Sequence, residues 1–255
     1  MRKILLAIFA ALIALTSCKE DPTLYYNNVT MGNIDGDYIV SDQGNTFEIT
    51  EDLVKIDLSK FEYGRVILSC DVLKEIGDKR YSIRLTNIAS VLTKPVVDAN
   101  SITSETDKVN VDNPIIIKDL WYGGGYINML LQFAVKSDSK TAHLINLVYN
   151  GVETNDEGLK NYTFSLRHNA FGEIPTEDDV ENYTSSYGYV SFPIAELIEG
   201  DEAKVTLNWH SHKLENDGYR ILDSEQRSKT FDWQRIGFEH PQKSSVTPPS
   251  AVCMK

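Results

Sequence analysis

The 255-residue chain has few of the residues on which most enzyme motifs depend. It contains three cysteines and five histidines, and it shows no serine-nucleophile elbow, phosphate-binding glycine loop or long amphipathic helical stripe. Three cysteines are too few for a disulfide framework. Cationic residues are in the minority, with 25 Lys and Arg against 37 Asp and Glu, for a net charge of −12. This balance argues against nucleic-acid binding and against direct adsorption to anionic lipid.

The one long apolar run lies at the N-terminus. A basic pair precedes an uninterrupted apolar stretch over residues 4–15, and two small residues follow before Cys18. This order is typical of a secretory signal, and the run is shorter than the roughly 20 residues of a membrane span. The segment Leu15-Thr16-Ser17-Cys18 is similar to the bacterial lipobox, whose cysteine thiol receives a lipid. We therefore expect a signal peptide over residues 1–17 and an acyl (palmitate-type) membrane anchor on Cys18.

A short polar segment follows the expected lipidation site. Lys19-Glu20-Asp21 resembles the surface-export tag of Bacteroidetes-type lipoproteins, and it also fits a solvated charged tether. We expect the protein at the outer membrane, and both the cell surface and the periplasmic face stay open.

Short runs rich in Val, Ile, Thr and aromatic residues, separated by Gly, Asn and Asp, fill the next part of the chain. Residues 38–50 are typical of a hairpin around Asp42-Gln43-Gly44-Asn45. Residues 65–87 indicate a second hairpin with Gly77-Asp78 in its connection, and its second strand alternates between apolar and polar residues. About five strands in about 65 residues predict a small closed barrel.

Residues 94–114 interrupt this pattern, because they are polar and contain two prolines. They predict a linker or a long crossing loop. Six further strands follow at a spacing that suits an antiparallel sandwich. They are predicted over 115–121, 126–135, 142–149, 162–168, 187–192 and 205–209. The sequence therefore predicts an all-β protein, with a small OB-like barrel followed by an antiparallel β-sandwich.

Several short apolar motifs occur in order along the chain. They are Asp37-Tyr38-Ile39-Val40-Ser41-Asp42-Gln43-Gly44, Gly64-Arg65-Val66-Ile67-Leu68, Val91-Leu92-Thr93-Lys94-Pro95, Ile117-Lys118-Asp119-Leu120-Trp121, Tyr126-Ile127-Asn128, Tyr162-Thr163-Phe164-Ser165-Leu166-Arg167-His168-Asn169-Ala170 and Val190-Ser191-Phe192. In this order they resemble the NigD-like lipoprotein family. The resemblance implies an N-terminal OB domain, a C-terminal β-sandwich domain and a lipid anchor, and it carries over no catalytic residue.

The resemblance and the composition together suggest limits for each part of the chain. We expect a signal peptide over 1–17, a tether over 18–27, a NigD-like OB domain over 28–95, a linker over 96–113, a NigD-like β-sandwich domain over 114–238 and a disordered tail over 239–255.

Three polar clusters allow other chemistry but favour plainer interpretations. His210-Ser211-His212 offers two imidazoles to a metal, yet only His168 or Glu215 could complete such a site through folding, so strand-end histidines are favoured. Asn33-Ile34-Asp35-Gly36-Asp37 resembles part of a calcium loop but is simpler as a hairpin turn. The acids of residues 177–181 fit a solvated loop better than a glycosidase pair. We expect no metal and no cofactor.

The two remaining cysteines differ in their surroundings. Cys70 lies in a predicted buried strand, where a thiol acts as a small hydrophobe, and Cys253 lies in the Pro- and Ser-rich tail. A disulfide between them is chemically allowed in an oxidising compartment, although a disordered tail disfavours it.

The segment Trp121-Tyr122-Gly123-Gly124-Gly125-Tyr126 is the candidate ligand contact. Glycines at a hairpin tip could present Tyr122 and Tyr126 as stacking platforms for a sugar or a protein. The alternative, which we favour, is that Trp121 belongs to the core and that the glycines only turn the chain.

The function that these observations favour is non-enzymatic. We expect a lipid-anchored binding or structural protein of the cell envelope whose partner is an unknown protein or glycan, and no nucleic acid. Glycan-binding and immunity-like surface proteins are alternatives, and a carbohydrate-active hydrolase is a more distant one.

Overall fold

The computed structural model describes residues 28–103, 108–215 and 218–234. The expected signal peptide, Cys18, the whole tether and the C-terminal tail with Cys253 lie outside these residues. In the described part, no helix is long and apolar enough to cross a membrane. Over these three ranges the chain forms fourteen strands and three short 3₁₀ helices, which confirms the all-β prediction.

The first five strands form a closed barrel. They are β1 (Asn28–Asp35), β2 (Tyr38–Ser41), β3 (Thr46–Asp52), β4 (Arg65–Gly77) and β5 (Arg80–Ser90). Their order around the barrel is β1-β2-β3-β5-β4, and β1 pairs with β4 to close it. Strands β3 and β5 run parallel, and the other four pairs of neighbouring strands in the barrel are antiparallel. This confirms the OB-like barrel, whose closure leaves no exposed edge.

The alternation of residue types along the strands accounts for the barrel core. Ile83 and Leu85 in β5 are fully buried, while Arg84 between them points outward to Glu51. The fully enclosed core consists of Ile39, Phe47, Val66, Leu68, Cys70, Ile83 and Leu85.

The remaining nine strands form a sandwich of two sheets. They are β6 (Leu92–Thr93), β7 (Val97–Asp98), β8 (Ile116–Gly123), β9 (Tyr126–Lys136), β10 (Leu144–Thr154), β11 (Lys160–Asn169), β12 (Tyr183–Pro193), β13 (Glu202–Glu215) and β14 (Gly218–Gln234). One sheet has the order β14-β13-β11-β10-β7 and the other β6-β12-β9-β8. Their facing side chains, among them Met129, Phe164 and Phe192, form the largest apolar core. This confirms the sandwich, in which the pairing of β11 with β13 is parallel.

The connection between barrel and sandwich differs from the expected linker. Strands β6 and β7 are short edge strands of the two sandwich sheets. Strand β6 pairs in parallel with β12, and β7 pairs in parallel with β10. Residues 96–113 therefore include a sandwich strand, and residues 92–93 also belong to a sandwich sheet. A two-residue strand has too little periodicity to be recognised in a sequence. Nearby, Lys94 donates from Nζ to the Ile145 carbonyl oxygen at 2.8 Å, which fixes the crossing segment to β10.

The glycines of the β8–β9 hairpin have a structural reason beyond turning the chain. Gly124 has a φ of +60°, and a Cβ placed on it would overlap the Asp42 carboxylate of the barrel. A Cβ on Gly123 would also lie 3.0 Å from Asp42 Oδ2. The sandwich hairpin thus approaches the barrel so closely that side chains are excluded.

Gly124→Ala is predicted to be more destabilising than Gly158→Ala. Both glycines have positive φ, at +60° and +82°, so both variants incur left-handed backbone strain of about 1–2 kcal/mol. A Cβ on Gly124 would collide with the Asp42 carboxylate, whereas nothing lies within 4 Å of a Cβ on Gly158. We expect a further loss of about 1–3 kcal/mol in the free energy of unfolding for Gly124→Ala, measured by urea titration. Equal losses would show that the hairpin does not press on the barrel.

Candidate functional site

A buried arginine lies between the barrel and the sandwich. Arg65 is the first residue of β4, and its side chain is 1% exposed. A guanidinium has five N–H donors and no acceptor, so burial requires an acceptor for each of them. The structure supplies all five: Nε donates to Ser191 Oγ at 2.9 Å, Nη1 to Asn33 Oδ1 at 3.1 Å and Asp42 Oδ1 at 2.9 Å, and Nη2 to Asp42 Oδ2 and Asn128 Oδ1, both at 2.8 Å.

The acceptors come from both domains. Asn33 and Asp42 belong to the barrel, at β1 and just after β2. Asn128 and Ser191 face each other across β9 and β12 of the sandwich. Ser191 Oγ also donates to Asn128 Oδ1 at 2.7 Å, so the two sandwich acceptors are already linked to one another. Arg65 therefore connects the two domains through a polar cluster that we call the interdomain joint, made of Asn33, Asp42, Arg65, Tyr126, Asn128 and Ser191.

Apolar contacts surround the interdomain joint. The Arg65 Cζ atom lies 4.0 Å from the centre of the Tyr126 ring, within range of a cation–π interaction. A separate apolar cluster spans the domain boundary, and Trp121 packs edge-on against Tyr189 within it at 6.5 Å between ring centres. Its buried members are Met31 and Ile67 from the barrel, Val91 from the crossing segment and Tyr189 from the sandwich. This packing excludes water from the charged groups.

The ionisation of Asp42 reflects two opposing effects. Burial raises the pKa of the Asp42 carboxyl, while the charge and hydrogen bonds of Arg65 and a bond from Asn128 counteract the shift. With a bidentate guanidinium as partner, the carboxylate is the form that the geometry accommodates. Removal of Arg65 would leave that carboxylate buried without its counter-charge.

Arg65→Met is predicted to be strongly destabilising, because it breaks a buried pair on one side only. We expect a loss of about 3–5 kcal/mol in the free energy of unfolding. The matched control is Arg84→Met in the same barrel. Arg84 is paired with Glu51 at the surface, with a 31% exposed side chain, so its substitution should be far less destabilising. Similar urea midpoints for the two variants would contradict a special role of Arg65.

The two candidate tyrosines both have partners inside the protein. Tyr122 packs against the sandwich core and lies edge-on to Trp233, with ring centres 5.9 Å apart. Tyr126 has one ring face covered by Arg65. The Trp121–Tyr126 tip therefore lies against the barrel, and a role of these rings in ligand contact stays a prediction. The sequence predicts Arg65, the central residue of this region, only as part of a buried strand.

A second buried polar group is a histidine pair in the sandwich. His143 Nδ1 lies 3.0 Å from His168 Nε2, and His168 Nδ1 lies 3.1 Å from the Pro114 carbonyl oxygen. Since a carbonyl oxygen only accepts, Nδ1 of neutral His168 carries the proton, and its Nε2 accepts from His143 Nδ1. His143 Nε2 is then an acceptor 3.9 Å from Glu173 Oε2. The Phe133 ring packs against both imidazoles.

The histidine pair is held in its neutral form. Burial, reinforced by the neighbouring His143, lowers the pKa of His168 to about 4. Burial also lowers the pKa of His143, although Glu173 opposes the shift. An imidazolium in this apolar pocket would have to be desolvated, which explains the direction of both shifts.

The remaining sequence candidates occupy structural positions. His210 Nδ1 donates to the Asp112 carbonyl oxygen at 2.7 Å, and His212 is 4% exposed on the same strand. In the described residues, no three His, Cys, Asp or Glu side chains are grouped to hold a metal ion. Asn33–Asp35 end strand β1, and Gly36 and Asp37 form the β1–β2 hairpin turn, as favoured. In the acidic loop, Asp179 accepts hydrogen bonds from the backbone and hydroxyl of Thr176.

Cys70 is buried and free. It is 1% exposed in the barrel core, and burial raises the pKa of its thiol to about 12. The thiolate that disulfide exchange requires is therefore strongly disfavoured.

Acid is predicted to destabilise the protein through His168. The unfolded side chain has a pKa of about 6.5, so between about pH 6.5 and about pH 4 the unfolded state binds the extra proton and the native state does not. The free energy of unfolding should therefore fall by up to about 3 kcal/mol as the pH is lowered through this window.

The variant His168→Asn should be less stable at pH 7 but should lose less stability over the same pH window. His210→Asn, on the neighbouring strand and outside the pair, is the control and should keep the wild-type slope. Urea titrations at a series of pH values give the comparison. A wild-type slope in His168→Asn would assign the acid sensitivity to other groups.

Comparison with known proteins identifies similar sequences and structures. Residues 96–222 match the family profile described as the NigD-like C-terminal beta sandwich domain. A protein of unknown function (DUF1344) from Bacteroides vulgatus is 19% identical, with coverage of 86% of this chain and 96% of that one and a TM-score of 0.59. A NigD-like immunity protein from Bacteroides caccae is 16% identical, with 82% and 96% covered and a TM-score of 0.55.

A third solved structure is that of a candidate lipoprotein from Bacteroides fragilis. It is 12% identical, with 82% of this chain and 98% of that one covered and a TM-score of 0.54. A comparison with curated proteins found no match. At these identities the solved structures show a similarity of fold alone.

Proposed function

From the match of residues 96–222 to the NigD-like C-terminal beta sandwich domain, we propose that the chain is a NigD-like, non-enzymatic binding protein anchored to the cell envelope by lipid on Cys18. The anchor follows from the lipobox-like Leu15-Thr16-Ser17-Cys18 behind a signal-like apolar run. The proposed location is the outer membrane. We propose that the protein acts by binding a partner through a surface that the barrel and the sandwich form together.

The interdomain joint is the observation that carries this proposal. Five hydrogen bonds from Arg65 and an apolar cluster fix the barrel against the sandwich. A binding surface that extends over two domains loses affinity if the domains must first be oriented, because that ordering is opposed by entropy. Because the hydrogen bonds of Arg65 already fix the orientation of the two domains, binding does not have to overcome this loss of entropy. Such an arrangement suits recognition of a large partner better than chemistry on a small one.

A protein is the partner class that we propose. The similar structure from Bacteroides caccae is named a NigD-like immunity protein, which supports a protein target for the same fold. The net charge of −12 favours a partner with a cationic surface. The glycan alternative depends on Tyr122 and Tyr126, and each of these half-buried rings already has a partner inside the protein.

Cys18→Ala is predicted to release the protein from the membrane. In cells fed a clickable palmitate analogue, the wild-type chain should be labelled and sediment with outer membranes, and Cys18→Ala should be unlabelled and soluble. Cys253→Ala is the matched control and should behave as wild type. Label that survives in Cys18→Ala would refute the anchor.

The same strains test the partner. Chemical crosslinking in intact cells followed by purification should recover a protein with wild type, and recovery should fall sharply with Cys18→Ala because the partner is sought in the envelope. Recovery of one partner with equal yield from both strains would show that anchoring does not direct binding. Protease treatment of intact cells then decides between the surface and the periplasmic face.

A further inference from the structure

The last strand of the sandwich is a long open edge. Strand β14 runs over Gly218–Gln234 and ends the five-stranded sheet. Among the described strands it is hydrogen-bonded to β13 alone, whereas the opposite edge of the same sheet, β7, has two residues. An edge of this length presents backbone donors and acceptors that can pair with another strand. Proteins usually blunt such an edge with charges, prolines or bulges.

The charges on β14 have an order that does not fit simple blunting. Asp223 and Glu225 precede Gln226, and Arg227 and Lys229 follow it at the same spacing. Glu225, Arg227 and Lys229 lie in the regular part of the ladder and have the same parity along the strand, so they point to one face of the sheet. When a second β14 is aligned antiparallel about an axis at Gln226, each Glu225 lies opposite an Arg227 and each Asp223 opposite a Lys229. A parallel in-register copy would place like charges side by side.

The other face of β14 leaves room for a neighbour. Its side chains are small and polar at Ser224, Ser228 and Thr230, and all three are exposed. In the antiparallel alignment Ser224 lies opposite Ser228. The irregularity in the β13–β14 ladder falls between His212 and Lys213, where β14 steps from Ser224 to Arg220. The regular stretch of β14 therefore covers Ser224–Gln234, with Glu225, Arg227 and Lys229, and Asp223 lies in the irregular part.

The existing ion pair within the strand is compatible with this alignment. Arg227 Nε donates to Glu225 Oε1 of its own chain at 2.8 Å, and the two side chains are 28% and 38% exposed. Across the axis, two such pairs would meet head to tail and form a ring of alternating charge. Alternating charges across neighbouring strands are favourable, and like charges directly opposite are unfavourable.

We propose that two copies of this chain pair through β14, antiparallel about a two-fold axis at Gln226, so that their five-stranded sheets become one continuous sheet. This self-association goes beyond the proposed function and uses no residue of the interdomain joint. The recognition is by strand addition, in which backbone hydrogen bonds give affinity and side-chain order gives register.

Two double variants test the register with matched chemistry. Ser224→Lys with Ser228→Lys places lysine opposite lysine twice across the axis, and Ser224→Lys with Ser228→Glu places lysine opposite glutamate twice. Within one chain the two positions are about 13 Å apart along the strand, so neither variant creates a close internal pair. The full chain, extracted from membranes into density-matched detergent, is examined by analytical ultracentrifugation.

The wild type and the Lys/Glu variant should sediment as dimers, and the Lys/Lys variant should have a dimer dissociation constant weaker by about tenfold or more. Thermal midpoints measured on diluted protein check that both variants fold. A wild-type chain that stays monomeric up to about 100 µM overturns the proposal. So does equal association of the two variants.

Disulfide trapping tests the axis itself. Opposed residues in an antiparallel pair have Cα atoms about 4.5–5.5 Å apart, which suits a disulfide. In a Cys253→Ser background, Gln226→Cys should form a covalent dimer in oxidised cells, and Ser228→Cys alone should not, because its own copy lies about 13 Å away. The Cys253→Ser variant without a new cysteine serves as the control and shows how much covalent dimer forms through other cysteines. Equal trapping at both positions would place the axis elsewhere and overturn the register.

Discussion

The fold depends on one desolvated guanidinium more than on any other group. An arginine at 1% exposure is tolerated only when every N–H has an acceptor, and here the acceptors lie on elements of both domains. That requirement fixes how closely the β8–β9 hairpin approaches the barrel. It also explains why Gly123 and Gly124 stand against Asp42, because a side chain there would occupy the space of the carboxylate. The relative orientation of the domains therefore follows from hydrogen-bond geometry.

The two domains differ in how many exposed edge strands they have. The barrel closes β1 onto β4 and has no edge, and the sandwich ends one side of each sheet with a two-residue strand. Strands β8 and β14 form the other two edges, and β14 is the longer, with seventeen residues and a ladder to β13 that is regular from Ser224 to Gln234. A chain that shortens β6 and β7 but keeps β14 long retains a surface on which strand addition is possible. The order of charges along β14 then decides which strand fits.

The sequence predicts local features well and long-range contacts poorly. Alternation and turn chemistry identify the hairpins around Gly44 and Gly77, since each involves residues that are neighbours along the chain. The barrel, the sandwich and the position of Trp121 in an apolar cluster follow from the same patterns. The partners of Arg65 lie 63 and 126 residues away, so no local pattern could assign them. The His143–His168 pair was missed for the same reason, although His168 was considered for a metal site.

A buried ion pair is seldom the most stabilising choice for an interface. Apolar residues of similar volume often give equal or greater stability, because two charges need not be desolvated. An apolar joint, however, would constrain the angle between the domains less, since apolar contacts are not directional. The bidentate Arg65–Asp42 pair and the linked Asn128 and Ser191 accept only one arrangement of the barrel on the sandwich. We infer that this joint is suited to orientation more than to stability. A fixed orientation is what a surface shared by two domains requires when its partner is large.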